Sequence, residues 1–145
     1  MRTRTFTLYI AATPEQVWHA LTDPALTRRY YLGLAVDSTW DEGAPIVFRT
    51  DQGPVADALF GEILHAAPAR HLIHNLLTGV GPERDPHCWL TWTLTPADVH
   101  LTRVTLTCDD VDRADDPERD DAWSRIVSGL KTVLETGAPL PSGSD

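Results

Sequence analysis

The stretch from Asp116 to Gly137, DPERDDAWSRIVSGLKTVLETG, leaves the least freedom to the rest of the chain. Trp123, Ile126, Val127, Leu130, Val133 and Leu134 recur at the spacing of one helical face. Arg119, Ser124, Arg125, Ser128 and Lys131 fall mostly on the opposite side. Asp116 suits an N-cap, Pro117 the first helical position, and acids fill the first turn, where the helix dipole favours them. Gly137 and then Pro139 mark the end. The segment reads as an amphipathic helix of roughly five turns. Its apolar face is wide and must lie on something apolar. The remainder of the chain is expected to supply a sheet for it.

The pattern elsewhere is mostly period two. Arg4 to Ala11 reads as a strand with Phe6, Leu8 and Ile10 on one face. Thr13-Pro14-Glu15-Gln16 opens a helix with a capping box, and Val17, Trp18 and Leu21 supply its apolar side. Asp23-Pro24 repeats the signal for a second short helix ending near Tyr30-Tyr31, with Arg28-Arg29 at its exposed end. Strands follow around Leu34 to Trp40, Pro45 to Thr50, Val55 to Ala66 and Arg70 to Leu77. Turns are expected at Asp41-Glu42-Gly43, Asp51 to Pro54 and Ala67-Pro68-Ala69, and an irregular loop from Thr78 to Pro86. His87 to Thr95 and Leu101 to Cys108 read as a hairpin. Its expected register sets Trp92 opposite Val104, Leu90 opposite Leu106 and Cys88 opposite Cys108, with threonines outward. The fold class is therefore α+β. About seven strands form a curved antiparallel sheet, two short helices follow the first strand, and the long C-terminal helix packs across the sheet. Residues 1–137 form one domain and 138–145 a flexible tail.

The chain has 145 residues and a net charge of −9, which argues against a nucleic-acid partner. Eight acids lie between Asp109 and Asp121, against Arg113 and Arg119. They read as a solvated loop leading into the helix; a divalent cation site would need a ligand spacing that is not present. No apolar run is long enough to insert into a membrane, and the N-terminus has no signal-type apolar block, so a cytoplasmic protein is expected.

Four stretches carry a resemblance. IAATPEQVWHALTDP (Ile10 to Pro24), GEILHAAPARHL (Gly61 to Leu72), LTWTLTP (Leu90 to Pro96) and WSRIVSGLKTVLETG (Trp123 to Gly137) span nearly the whole chain in order. Together they are similar to the helix-grip superfamily, also called START-like or SRPBCC. The subgroup they resemble is the stand-alone bacterial relatives of the heat-shock-protein ATPase activator domain. The resemblance implies a curved antiparallel sheet gripping the last helix, with an apolar cavity between them. Members bind lipids, sterols or polyketides, some cyclise polyketides, and some protect against reactive metabolites, so the fold alone does not choose a function. Two departures matter. The co-chaperone has a further large N-terminal domain, whereas this chain begins at the first strand, which argues against a co-chaperone role. Where the family often has adjacent tryptophans, this chain has Tyr30-Tyr31.

No phosphate-binding glycine loop, nucleophile elbow, zinc-protease motif or paired C-x-x-C is present, and no cofactor or metal is expected. His71 and His74 have metal-pair spacing for a helix, but on a strand they face opposite ways. His74 is expected inside, as a satisfied core group or as a catalytic candidate with a lowered pKa. Glu62, mid-strand, is the other acid–base candidate; outward orientation fits better because Ile63 then faces in. His65, His87 and His100 sit near strand ends, where exposure is expected. Cys88 and Cys108 read as reduced, buried thiols. The expected ligand-binding set is Tyr30, Tyr31, Phe48, Phe60, His74, Leu76, Leu90, Trp92, Trp123 and Val127. Three functions compete: binding of a small hydrophobic molecule without chemistry, a polyketide cyclase or dehydratase using His74 or Glu62, and a co-chaperone-like interaction module. A homodimer is compatible with each.

Overall fold

Alternation of apolar and polar residues makes Arg2–Ile10 the first strand, β1: Phe6, Leu8 and Ile10 turn inward while Tyr9 stays half exposed. The computed structural model describes residues 2–50, 56–78, 85–111 and 117–141. After β1 come helices α1 (Pro14–Thr22) and α2 (Pro24–Tyr30), then strands β2 (Ala35–Ser38), β3 (Pro45–Thr50), β4 (Ala56–Ala67), β5 (His71–Thr78), β6 (Asp85–Asp98) and β7 (Leu101–Asp110). Helix α3 (Pro117–Thr136) closes the chain. The strands form one antiparallel sheet in the order β1-β7-β6-β5-β4-β3-β2. This is the α+β helix-grip architecture. The expected turn at Asp51 to Pro54, the cap at Asp116, residues 79–84 of the expected loop and residues 142–145 of the tail lie outside the described residues.

The helix starts obey the local chemistry. The Thr13 side chain accepts from Gln16 N at 3.2 Å, and Gln16 Oε1 accepts from Thr13 N at 2.8 Å. Asp23 Oδ1 accepts from Ala25 N at 2.8 Å and starts α2. Helix α3 ends at Gly137, whose φ of 78° suits a residue without Cβ. Gly137 N donates to Val133 O, and its carbonyl accepts from the Arg29 guanidinium at 2.7 Å.

Trp123, Ile126, Val127, Leu130 and Val133 of α3 are buried against the sheet's inner face, which presents Leu90, Trp92, Val104, Leu106 and Cys108. Burial of those five helix side chains contributes on the order of 10 kcal/mol before conformational entropy opposes it. Gly129 lets α3 approach α2, since a Cβ there would lie 3.0 Å from Tyr30 Cβ. In the sheet, a Cβ on Gly61 would fall 1.9 Å from the Asn75 carbonyl oxygen. That close approach lets Asn75 Oδ1 accept from Glu62 N at 2.7 Å.

The β6–β7 hairpin differs from expectation by one pleat. Trp92 faces Leu106, Leu90 faces Cys108, and Cys88 faces Asp110 rather than Cys108. The cause is the turn. Asp98 pairs with Leu101 around the two residues Val99 and His100, which alone would invert the inward set. A bulge at Ala97 restores the parity and keeps Arg103 outside. The thiols therefore lie diagonally across the ladder, both unbonded and buried. Thr91 pairs with Thr107 and Thr93 with Thr105, and Thr5 and Thr7 of β1 continue this outer face. The loop expected from Thr78 is also shorter, because Thr78 pairs with Asp85 and Leu77 with Pro86.

Candidate functional site

The residue that shapes the site is Tyr31, the C-cap of α2. Its ring stacks on Phe48 at 4.6 Å and meets the edge of Trp123 at 6.1 Å. Leu32 and Gly33 then turn the chain with φ of 56° and 74°. The left-handed backbone is unusual for leucine, and it leaves the Leu32 side chain 53% exposed at a cleft mouth. Behind that mouth, Leu59 of β4, Leu76 of β5, Cys88 of β6 and Ala122, Trp123 and Ile126 of α3 enclose an apolar cleft of about 270 Å³. It lies where the end of β7 and the start of β6 pass under the first turns of α3.

The polar wall comes from His87, Asp110 and Arg119. His87 enters through a bulge: Leu76 pairs with Cys88 and Leu77 with Pro86, so His87 is the extra residue on β6. Asp110 continues the inward parity of Val104, Leu106 and Cys108, and is 1% exposed. Its carboxylate pairs closely with Arg119 and, at 3.8 Å, with Arg4; Arg4 in turn pairs closely with Asp120. Asp120 also accepts from Arg2 at 3.3 Å. This network fastens the start of α3 to β1 and β7. The expectation that the acidic stretch is simply solvated fails at Asp110, because inward alternation carries it into the interior, opposite Arg2 in the ladder and diagonally within reach of Arg4.

Three polar side-chain atoms of residues lining the cleft, Tyr31 Oη, Trp123 Nε1 and His87 Nδ1, are buried without a hydrogen-bond partner among the described residues. Burial holds the Tyr31 hydroxyl well above its ordinary pKa, so it stays protonated. Burial lowers the His87 pKa, against smaller opposing effects of Asp110 and of the Leu76 backbone, while Arg119 lowers it further. The Cys88 thiol is pushed up to about 11 by burial, which makes it a poor nucleophile at neutral pH.

Of the expected ligand set, Tyr31, Leu76 and Trp123 line the cleft. Tyr30 faces α1, its hydroxyl donating to Ala20 O at 2.7 Å. Phe48 backs Tyr31, while Leu90 and Trp92 are packed into the core. Val127 borders a shallower groove between α3 and β1. His74 is buried beside Phe48, with Nδ1 donating to the Asn75 carbonyl at 2.9 Å, and does not line the cleft. Phe60 corrects the expectation, while Glu62 takes the outward orientation expected for it. Gly61 and Ile63 take the inward positions of β4, so Phe60 and Glu62 lie on the outer face of the sheet, and Glu62 is exposed. His87, Asp110 and Arg119 were missed. The parity of β7 carried a signal for Asp110; nothing local announced the bulge at His87.

The geometry describes a small apolar cleft with a polar wall. A family model described as Activator of Hsp90 ATPase homolog 1-like protein matches residues 11–135. No curated sequence matches significantly. The Aha1 dimer from Colwellia psychrerythraea, solved in solution, is 20% identical with a TM-score of 0.74, covering 94% of this chain and 98% of that chain. The protein ChR145 from Cytophaga hutchinsonii is 27% identical with a TM-score of 0.74, covering 94% and 96%. An HSP90 activator from Plasmodium falciparum is 15% identical with a TM-score of 0.73, covering 92% and 96%. Among the described residues no helix is long and apolar enough to cross a membrane.

Proposed function

This chain belongs to the Activator of Hsp90 ATPase homolog 1-like family, and on that premise we propose that it binds a small hydrophobic molecule in the cleft between α3 and the sheet. The family and fold support a ligand-binding or protein-interaction module. The observation that favours a ligand is the cleft, walled by Leu32, Leu59, Leu76, Trp123 and Ile126. Apolar burial supplies affinity there. At about 270 Å³ the cleft holds roughly nine water volumes of ~30 Å³ each. That is just below the ~300–1,000 Å³ of drug-sized sites, so a compact guest fits better than a whole sterol or lipid. The enzymatic alternative loses support because Glu62 lies outside and His74 is occupied by a backbone carbonyl. The reading takes the cytoplasm as the compartment, to which two unbonded cysteines are suited. A homodimer is part of the proposal by analogy with the Colwellia dimer.

A thermal-shift and native mass spectrometry screen of compact apolar molecules tests the reading. A binder present at a hundred times its Kd should stabilise the fold by about 2.7 kcal/mol. Ala122→Phe, placed on the cleft wall, should abolish that shift while the unliganded Tm changes little. Absence of any stabiliser across the library would overturn the proposal.

A further inference from the structure

The two outermost strands of the sheet differ in length. β2 has four residues, whereas β1 runs for nine, without a proline or a bulge in its pairing with β7. Short edge strands resist pairing with another chain, and long regular ones invite it. Only one end of β1 is closed. The Tyr9 carbonyl accepts from Lys131 Nζ at 2.6 Å, and Ala11 N donates to Glu135 at 2.8 Å. These groups point away from β7. By the alternation of an antiparallel ladder, so do the N–H and C=O groups of Thr3, Thr5 and Thr7. Among the described residues those groups have no backbone partner. On the inner face beside them, Phe6 and Leu8 are only half-buried and, with Val127 of α3, line a groove of about 550 Å³.

An occupant of this edge must bring an extended strand, and β1 itself fits. A two-fold axis through Thr5 sets Thr5 against Thr5 of a second copy and Thr3 against its Thr7. That register uses the open edge up to the point where Lys131 closes it. On the inner face Arg4 then meets Phe6 of the second copy and Arg2 meets its Leu8, so no arginine opposes another. Moving the axis one residue towards the N-terminus would set Arg4 against Arg4, which like charges disfavour. Moving it one residue the other way would need the Tyr9 carbonyl that Lys131 holds. We infer that β1 pairs antiparallel with β1 of a second copy about Thr5, joining two sheets into one. The inference rests on the homodimer proposed above and names its face; it does not depend on the cleft.

Analytical ultracentrifugation of the full chain over a concentration series tests it. The natural chain should form a reversible dimer with twice the 16.0 kDa mass of the chain. A ladder this short gives an interface at the small end of the known range, so the dimer should dissociate on dilution. Thr5→Lys brings two ammonium groups together at the axis, and Thr5→Glu two carboxylates. Each should weaken the dimer by about tenfold or more. Thr5 is exposed, so the Tm of the separated chains should change little. Mixing the two variants should restore a dimer at least as tight as the natural one, because opposite charges then face each other. Variants that dimerise as well as the natural chain would overturn this face and leave the homodimer to another one. Variants that stay monomeric even when mixed would overturn the register about Thr5. A natural chain that is monomeric at every concentration would remove the homodimer and this face together, and leave the cleft reading untouched.

Discussion

At His74 the structure sets a polar ring among apolar neighbours, with Nδ1 donating to the Asn75 carbonyl. Burial lowers its pKa to about 4, against a smaller opposing effect of that backbone bond. The unfolded chain, at the ordinary value near 6.5, therefore binds a proton that the folded chain refuses between pH 6.5 and about 4. More protons on the unfolded state mean that stability falls as pH falls through this window. Between pH 7.5 and 5 the loss assigned to this ring is about 2 kcal/mol. Urea unfolding at both pH values should show that slope in the natural chain and a flatter one in His74→Gln. Equal slopes would mean the ring is solvated. The part-buried His87 adds a smaller effect of the same sign. The inward position of His74 was legible from strand parity. So was the outward position of Glu62, and the same parity, applied consistently, places Phe60 outside as well.

Among the elements, α3 is held at its two ends by different means. Its C-terminal end is fixed by the Gly137 cap, the Arg29 bond, and Lys131 donating to the Tyr9 carbonyl at 2.6 Å. Its N-terminal end depends on Asp110, whose carboxylate is buried between Arg119 and Arg4. Removing one member of a buried pair leaves its partner uncompensated. Asp110→Asn should therefore cost about 3 kcal/mol in urea unfolding and speed amide exchange in the first turns of α3. Asp120→Asn, at a more exposed position, should cost less than ~1 kcal/mol. Similar costs for the two variants would show that burial does not set the strength of this latch. The apolar stripe of α3 could be read from spacing alone. This latch could not, because its members belong to β1, β7 and α3.

Over the whole molecule, β1 pairs with β7 along its full length, although the two lie at opposite ends of the chain. Helix α3 then covers both ends of that pairing's inner face. Sheet and helix share one core, which contains Trp92 and Trp123. Unfolding should accordingly be a single cooperative event: urea transitions followed by tryptophan fluorescence and by far-UV circular dichroism should have the same midpoint. Separated midpoints would mean that α3 leaves the sheet before the sheet unfolds.

Local chemistry by itself determined which segments are helices and strands, where α1 and α2 start, where α3 stops, and which side of most strands faces inward. Each of these depends on residues a few positions apart, through capping bonds and through the periods of helix and strand. Only the tertiary structure decided the hairpin register, through the bulge at Ala97. It also decided that Tyr31, His87, Asp110, Arg119 and Trp123 share one cleft. A bulge shifts the inward parity by one residue without a signature in the local sequence, and long-range pairing gathers polar groups that no sequence interval relates.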